Sequence, residues 1–192
     1  MEYLVVGGSW ALYLFLHSAL ATNGVKKWVA DKITKSERAY RFIYSLLSTI
    51  GLLWLLMIMA ITDSIQIFKP SAYVTYGAMV LASYGVILII VSFRQLSMKE
   101  FVGLKKQSEF KLIKTGLHGH VRHPIYSGTI LLFSGMCLYY PTDINILVTG
   151  VVFLYLPFGI YLEERKLIEV FGEEYLDYTK KVSAIFPRLF RF

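Results

Sequence analysis

Three histidines and an arginine converge within Gly116-Leu117-His118-Gly119-His120-Val121-Arg122-His123-Pro124-Ile125-Tyr126, immediately before an apolar run. Pro124 has no backbone N–H to lose at the first position of a helix, so this spacing predicts a helix N-terminus at Arg122 and His123. The open amides of a first helical turn and the positive end of the helix dipole, with Arg122 beside them, form a seat for a carboxylate or phosphate. The same residues would equally anchor a membrane helix to lipid headgroups. Forty residues further on stand Glu163-Glu164-Arg165-Lys166, a charged helix exit by itself.

These groups need a scaffold, and composition says which kind. The 192 residues are 56% hydrophobic and only 17% charged, with a mean hydropathy of +0.54. An all-α integral membrane protein follows, with about five transmembrane helices at residues 3–21, 42–62, 72–93, 125–140 and 144–162, each near the ~20 apolar residues a bilayer requires. Between the first two, Val25, Trp28, Val29 and Ile33 recur at helical spacing among lysines, predicting an amphipathic helix on the membrane surface. Residues 94–123 are polar but too apolar for a free linker, and form a connection packed under the helices. Leu167, Ile168, Phe171 and Tyr175 share a helical face, predicting a C-terminal cytosolic helix folded back on that connection. The segments 94–126 and 163–187 together make the predicted binding part of a single domain.

The 20 basic residues outnumber 13 acidic ones. Their placement argues for topology and against nucleic acid, because six lie in residues 22–41, seven in 94–124, six in 163–192, and Lys69 alone in an opposite loop. With five helices the three basic segments share one side, which puts the N-terminus outside and the C-terminus in the cytoplasm. No zinc-ligand spacing is present, and no protein partner is evident. Cys137, within an apolar run, reads as an inert buried thiol. His17, in the first helix, reads as a polar group bonded to a neighbouring helix or as a proton-handling residue. Gly77, Ala78, Ala82 and Gly85 in the third helix, with Ser127, Gly128, Ser134 and Gly135 in the fourth, suit close packing in lipid, and Pro157 suits a kink in the fifth.

Arg122-His123-Pro124-Ile125-Tyr126, followed by Glu163-Glu164, Phe171-Gly172-Glu173-Glu174-Tyr175 and Tyr178, resembles the membrane methyltransferases typified by isoprenylcysteine carboxyl methyltransferase and the phospholipid N-methyltransferases. His17-Ser18, Tyr40-Arg41 with Tyr44, and Phe101-Val102-Gly103-Leu104 with Gln107 are similar to the bacterial branch that includes methanethiol S-methyltransferase. The resemblance implies S-adenosyl-L-methionine bound on the cytoplasmic side by Phe110, Lys111, Leu112, Ile113, His118, His123, Pro124, Ile125, Tyr126 and Glu164. Arg122, His123 and Glu164 are the implied catalytic residues, and a thiol or other small or lipophilic molecule is the implied acceptor, with isoprenylcysteine carboxyl O-methylation or phospholipid N-methylation as the alternatives within the family. Carboxyl methyltransferases of this kind carry an arginine about one and a half turns before the glutamate. Pro157-Phe158-Gly159-Ile160 stands there instead, which weighs against carboxyl O-methylation. Sterol reductases share Arg-His-Pro-x-Tyr, so an NADPH-dependent reductase is the second enzyme class, and a non-catalytic membrane assembly protein is the third reading.

Overall fold

A computed structural model describes residues 1–32, 36–95 and 111–187. Phe101 to Leu104, Gln107 and Phe110, named above, lie outside the described residues, as do Ile33 and Lys35. The described residues hold seven α-helices and no strand: α1 Glu2–Ala21, α2 Asn23–Lys32, α3 Glu37–Ile61, α4 Ala72–Gln95, α5 Pro124–Tyr139, α6 Asp143–Phe171 and α7 Glu173–Lys181, with a 3-10 turn at Gly116–Gly119. Helices α1, α3, α4 and α6 are long and apolar enough to cross a membrane, and α5 is a shorter apolar helix. Large apolar side chains such as Leu47, Ile50, Leu53 and Trp54 of α3 remain exposed. Lipid covers such surface in a membrane protein, so no water-driven burial is required of it.

Three boundaries differ from the periodicity. The basic stretch 22–41 is divided: α2 ends at Lys32, and Ser36 caps a new helix by accepting from Ala39 N at 3.2 Å. Arg38 and Arg41 thereby belong to the first turns of α3, where Arg41 pairs with Glu37 at 2.6 Å. Secondly, α6 does not end with its apolar run. Its 29 residues give about 44 Å at 1.5 Å each, against a hydrocarbon thickness of about 30 Å, so its last turns project beyond lipid and carry Glu163 and Glu164 with them. Thirdly, the chain turns at Gly172, whose φ of 54° is open to glycine at little cost, and α7 then folds back.

Two ends of the bundle are distinct. At one, Ile67 N donates to Pro141 O at 2.8 Å, Asp143 N to Ile65 O at 3.1 Å, and Tyr3 Oη to Asp143 Oδ2 at 2.5 Å. This joins the N-terminus, the 62–71 loop and the 140–143 turn. The other end gathers α2, the 111–123 segment and α7. The buried core between α1 and α6 consists of Val6, Trp10, Ile144, Val148, Val152 and Leu156, with Leu55 from α3. Helices α4 and α5 meet through small residues. A Cβ at Gly85 would stand 2.6 Å from Gly128 O, and one at Gly135 would stand 2.6 Å from Ala82 N. Gly77 is not in this contact, having open space around it. Cys137 is partly exposed rather than buried.

Candidate functional site

The first turn of α5 is fixed from behind by the tail that follows α7. Val121 and Ser183 form a parallel bridge. Arg122 N donates to Ser183 O at 2.8 Å, His123 N to Ala184 O at 2.9 Å, and Ser127 Oγ to Ile185 O at 2.6 Å. Pro124 occupies the first helical position, and Ser127 N closes the first turn on His123 O at 3.0 Å. The amides of Ile125 and Tyr126, one and two positions further on, have no carbonyl within the helix to serve them. They are the open amides expected at this helix start.

Arg122 has another task. Its Nε and Nη2 donate to Glu164 Oε1 at 2.9 and 2.5 Å, while Nη1 donates to Val182 O at 2.5 Å and Thr179 O at 3.3 Å, carbonyls at the C-terminal end of α7. One planar guanidinium therefore ties α5, α6 and α7 together, a use that its fixed fork of donors suits and an ammonium does not. Its side chain is 12% exposed. The same Glu164 oxygen lies 3.0 Å from His123 Nε2 and accepts from Tyr175 Oη at 3.4 Å. Glu164 is thus paired across the bundle, and the solvated helix exit that the sequence also allowed does not describe it. Glu163 is exposed, with Oε2 3.5 Å from His123 Nδ1.

His123 is buried between these two carboxylates. Burial disfavours its charge, but Glu163 and Glu164 outweigh burial and raise its pKa above the ordinary histidine value. A folded pKa above the unfolded one contributes stability that is fully present below about pH 6.5 and is lost as pH rises through the folded pKa. The thermal midpoint of the detergent-solubilised protein is expected to fall across that window, with Arg122 and Glu164 still paired. His123→Gln should flatten this part of the profile, and an equally steep fall in the variant would assign the transition to another group.

The remaining predicted residues fall into two sets. Leu112 packs on Tyr175, Tyr178 and Val182, together with Leu167 and Phe171. Tyr178 Oη donates to His118 O at 2.5 Å, and His118 Nδ1 lies 2.9 Å from Gln95 Oε1 at the end of α4. Burial lowers the pKa of His118, which favours its neutral form, and it raises the Tyr178 phenol to about 12. Ile113 is half-buried beside this set, whereas Lys111 and His120 are exposed. His120 Nδ1 is 3.0 Å from Gly116 O. Tyr126 belongs with His123, their rings edge to face at 5.5 Å. One contributor was not singled out from sequence, Gln95, which orients His118; Ser127, read from sequence as a packing residue, also locks the tail. His17, for which no partner was evident in sequence, faces Ser48 and Tyr44 of α3 at 3.1 Å each.

A family model described as NnrU protein matches residues 5–189. Methanethiol S-methyltransferase 1 of Bradyrhizobium diazoefficiens is 30% identical over 187 residues, covering 92% of this chain and 64% of the relative, so the chain spans a little under two thirds of that protein's length. Methanethiol S-methyltransferase of Crocosphaera subtropica is 26% identical, covering 96% of this chain and 74% of the relative. Protein-S-isoprenylcysteine O-methyltransferase of Saccharomyces cerevisiae is 34% identical over 92 residues, which are 47% of this chain and 38% of the yeast protein. No solved structure matches.

Proposed function

The chain belongs to the family described as NnrU protein, and from that premise we propose that it is an S-adenosylmethionine-dependent membrane methyltransferase whose acceptor is a small thiol. The observation that carries the reading is the joining of Arg122-His123-Pro124 to Glu163-Glu164 through one buried guanidinium and one carboxylate oxygen. Relatives named as methyltransferases of methanethiol align over nearly the whole chain. The donor set suits a zwitterionic sulfonium. The free amides of Ile125 and Tyr126 would take its carboxylate, and exposed Glu163 would face its ammonium or sulfonium, since Glu164 is already occupied by Arg122 and His123. S-adenosylmethionine supplies an activated methyl group, so the protein needs to position, desolvate and orient rather than form a covalent intermediate.

The thiol acceptor is favoured over a carboxylate by what replaces the missing arginine. Phe158 is largely exposed, and Gly159 is buried where a Cβ would stand 3.1 Å from Tyr155 Cε1 and 3.2 Å from Tyr126 Oη. No cation occupies that position to meet a carboxylate. The distribution of lysine and arginine supports a cytoplasmic position for this end of the bundle, with the N-terminus outside.

Calorimetric titration of the detergent-purified protein with S-adenosylmethionine and S-adenosylhomocysteine tests the reading. Micromolar binding that weakens about tenfold in Glu163→Gln, the worth of one charge-assisted contact, is the expected result. Absence of binding to either compound, or binding of NADPH instead, would overturn it.

A further inference from the structure

Away from the Arg122–Glu164 hub, a second polar cluster sits among the apolar helices at the same end of the bundle. His17, one turn before the end of α1, stacks on Tyr13 with ring centres 5.8 Å apart, and its Nδ1 lies 3.1 Å from Ser48 Oγ. The Tyr44 hydroxyl stands 3.1 Å from both ring nitrogens and from the His17 carbonyl. Next to it in the chain, Ser18 Oγ is hydrogen-bonded to Tyr155 Oη of α6. Polar side chains inside a membrane protein are costly to assemble, and a neutral imidazole needs only two hydrogen bonds, one donated and one accepted. Six polar side chains from three helices, Tyr13, His17 and Ser18 of α1, Tyr44 and Ser48 of α3 and Tyr155 of α6, exceed that need.

The kind of partner matters as much as the number. The hydrogen-bond partners of the His17 ring nitrogens are hydroxyls, those of Ser48 and Tyr44, and a hydroxyl can either donate or accept by rotating. Such a shell serves neutral imidazole and imidazolium alike, as a group that gains and loses a proton requires. The cluster is also connected to the hub. Tyr155 and Tyr126 both border the space beside Gly159, and the Tyr126 ring lies edge to face on His123.

Resting on the methyltransferase reading, we infer that this cluster is the acceptor subsite and that His17 is the base that converts a small alkyl thiol to its thiolate. A thiol with a pKa near 8.5 or above is mostly protonated at pH 7, whereas the thiolate is the nucleophile. The S–H bond breaks with its proton passing to a His17 ring nitrogen. The thiolate sulfur then forms a bond to the methyl carbon, the old carbon–sulfur bond breaks, and its electron pair neutralises the sulfonium as a thioether. Imidazolium afterwards returns its proton to water. An acceptor already ionised, such as a carboxylate, would have no use for His17.

The test compares wild type with His17→Gln, which keeps a side chain able to hydrogen-bond Ser48 and Tyr44 but cannot act as a base. At pH 7 thiol methylation is expected to fall about 100-fold, the usual worth of a general base, and to recover with rising pH as the thiol ionises unaided. S-adenosylhomocysteine binding should stay within about threefold of wild type. Equal methylation and pH profiles in the two proteins would overturn the inference alone, as would a fall in S-adenosylhomocysteine affinity matching the fall in rate. Failure of the wild type to bind S-adenosylhomocysteine would overturn the methyltransferase reading and this inference with it.

Discussion

Arg122→Lys is expected to destabilise the protein by about 3 kcal/mol and to remove measurable S-adenosylhomocysteine binding, although it preserves charge. The arginine makes two donations to Glu164 and two to the closing carbonyls of α7. Lysine has one nitrogen and cannot reach both sets. Breaking one side of a buried, hydrogen-bonded charge pair typically costs 3–5 kcal/mol, because the partner is left desolvated and unpaired. Glu164 is 24% exposed on its side chain, so water offsets part of that cost and the lower end applies. The anion seat at Ile125 and Tyr126 should fail with it, since the tail and α7 hold that helix start in place. Thermal unfolding and calorimetry of one preparation read both effects. A stable Arg122→Lys protein with wild-type affinity would show that the 183–185 bridge alone positions the site.

The contrast between Arg122 and His17 shows what the sequence discloses and what it withholds. Arg122 stands next to a histidine and a proline that announce a helix start, so its neighbourhood was legible. Its direction was not: an arginine at a helix start can face a ligand or reach sideways, and only the fold brings Val182 and Glu164 within reach. His17 stands alone in an apolar run, and its partners Tyr44 and Ser48 lie on another helix about 30 residues away. Their four-residue spacing places them on one face of α3, a sign that becomes meaningful only once α1 is known to lie against it. The five apolar helices were legible because lipid forces each span to be continuously apolar. The end of α6 was not, because a helix that leaves the membrane keeps its backbone hydrogen bonds while its side chains turn polar, and hydropathy registers only the second change. A similar reason divides Gly77 from Gly85. Both are small, and periodicity cannot tell a glycine pressed on a partner backbone from one facing open space.

That division gives the other large effect. Gly128→Val is expected to cost about 3 kcal/mol or more, at the upper end of the range for forced overpacking, and to weaken donor binding. A Cβ at Gly128 would stand 2.7 Å from Gly85 O and 2.7 Å from Ile89 Cγ1. The first of these is backbone, which cannot rotate aside, so α4 and α5 must separate along their length. Separation acts on the site at both of its edges. It moves the α5 start that carries His123 and Pro124, and it moves the end of α4, where Gln95 meets His118 at 2.9 Å. Gly77→Val on the same helix α4 meets nothing within 4 Å and should change stability by no more than about 1 kcal/mol, helix propensity being its main term. The pair separates close packing from a general effect of replacing glycine. Unfolding midpoints in one detergent supply the comparison, and equal losses for the two variants would refute the role assigned to the α4–α5 contact. If Gly128→Val loses S-adenosylhomocysteine binding while still folded, the contact fixes the geometry of the site as well as the stability of the bundle.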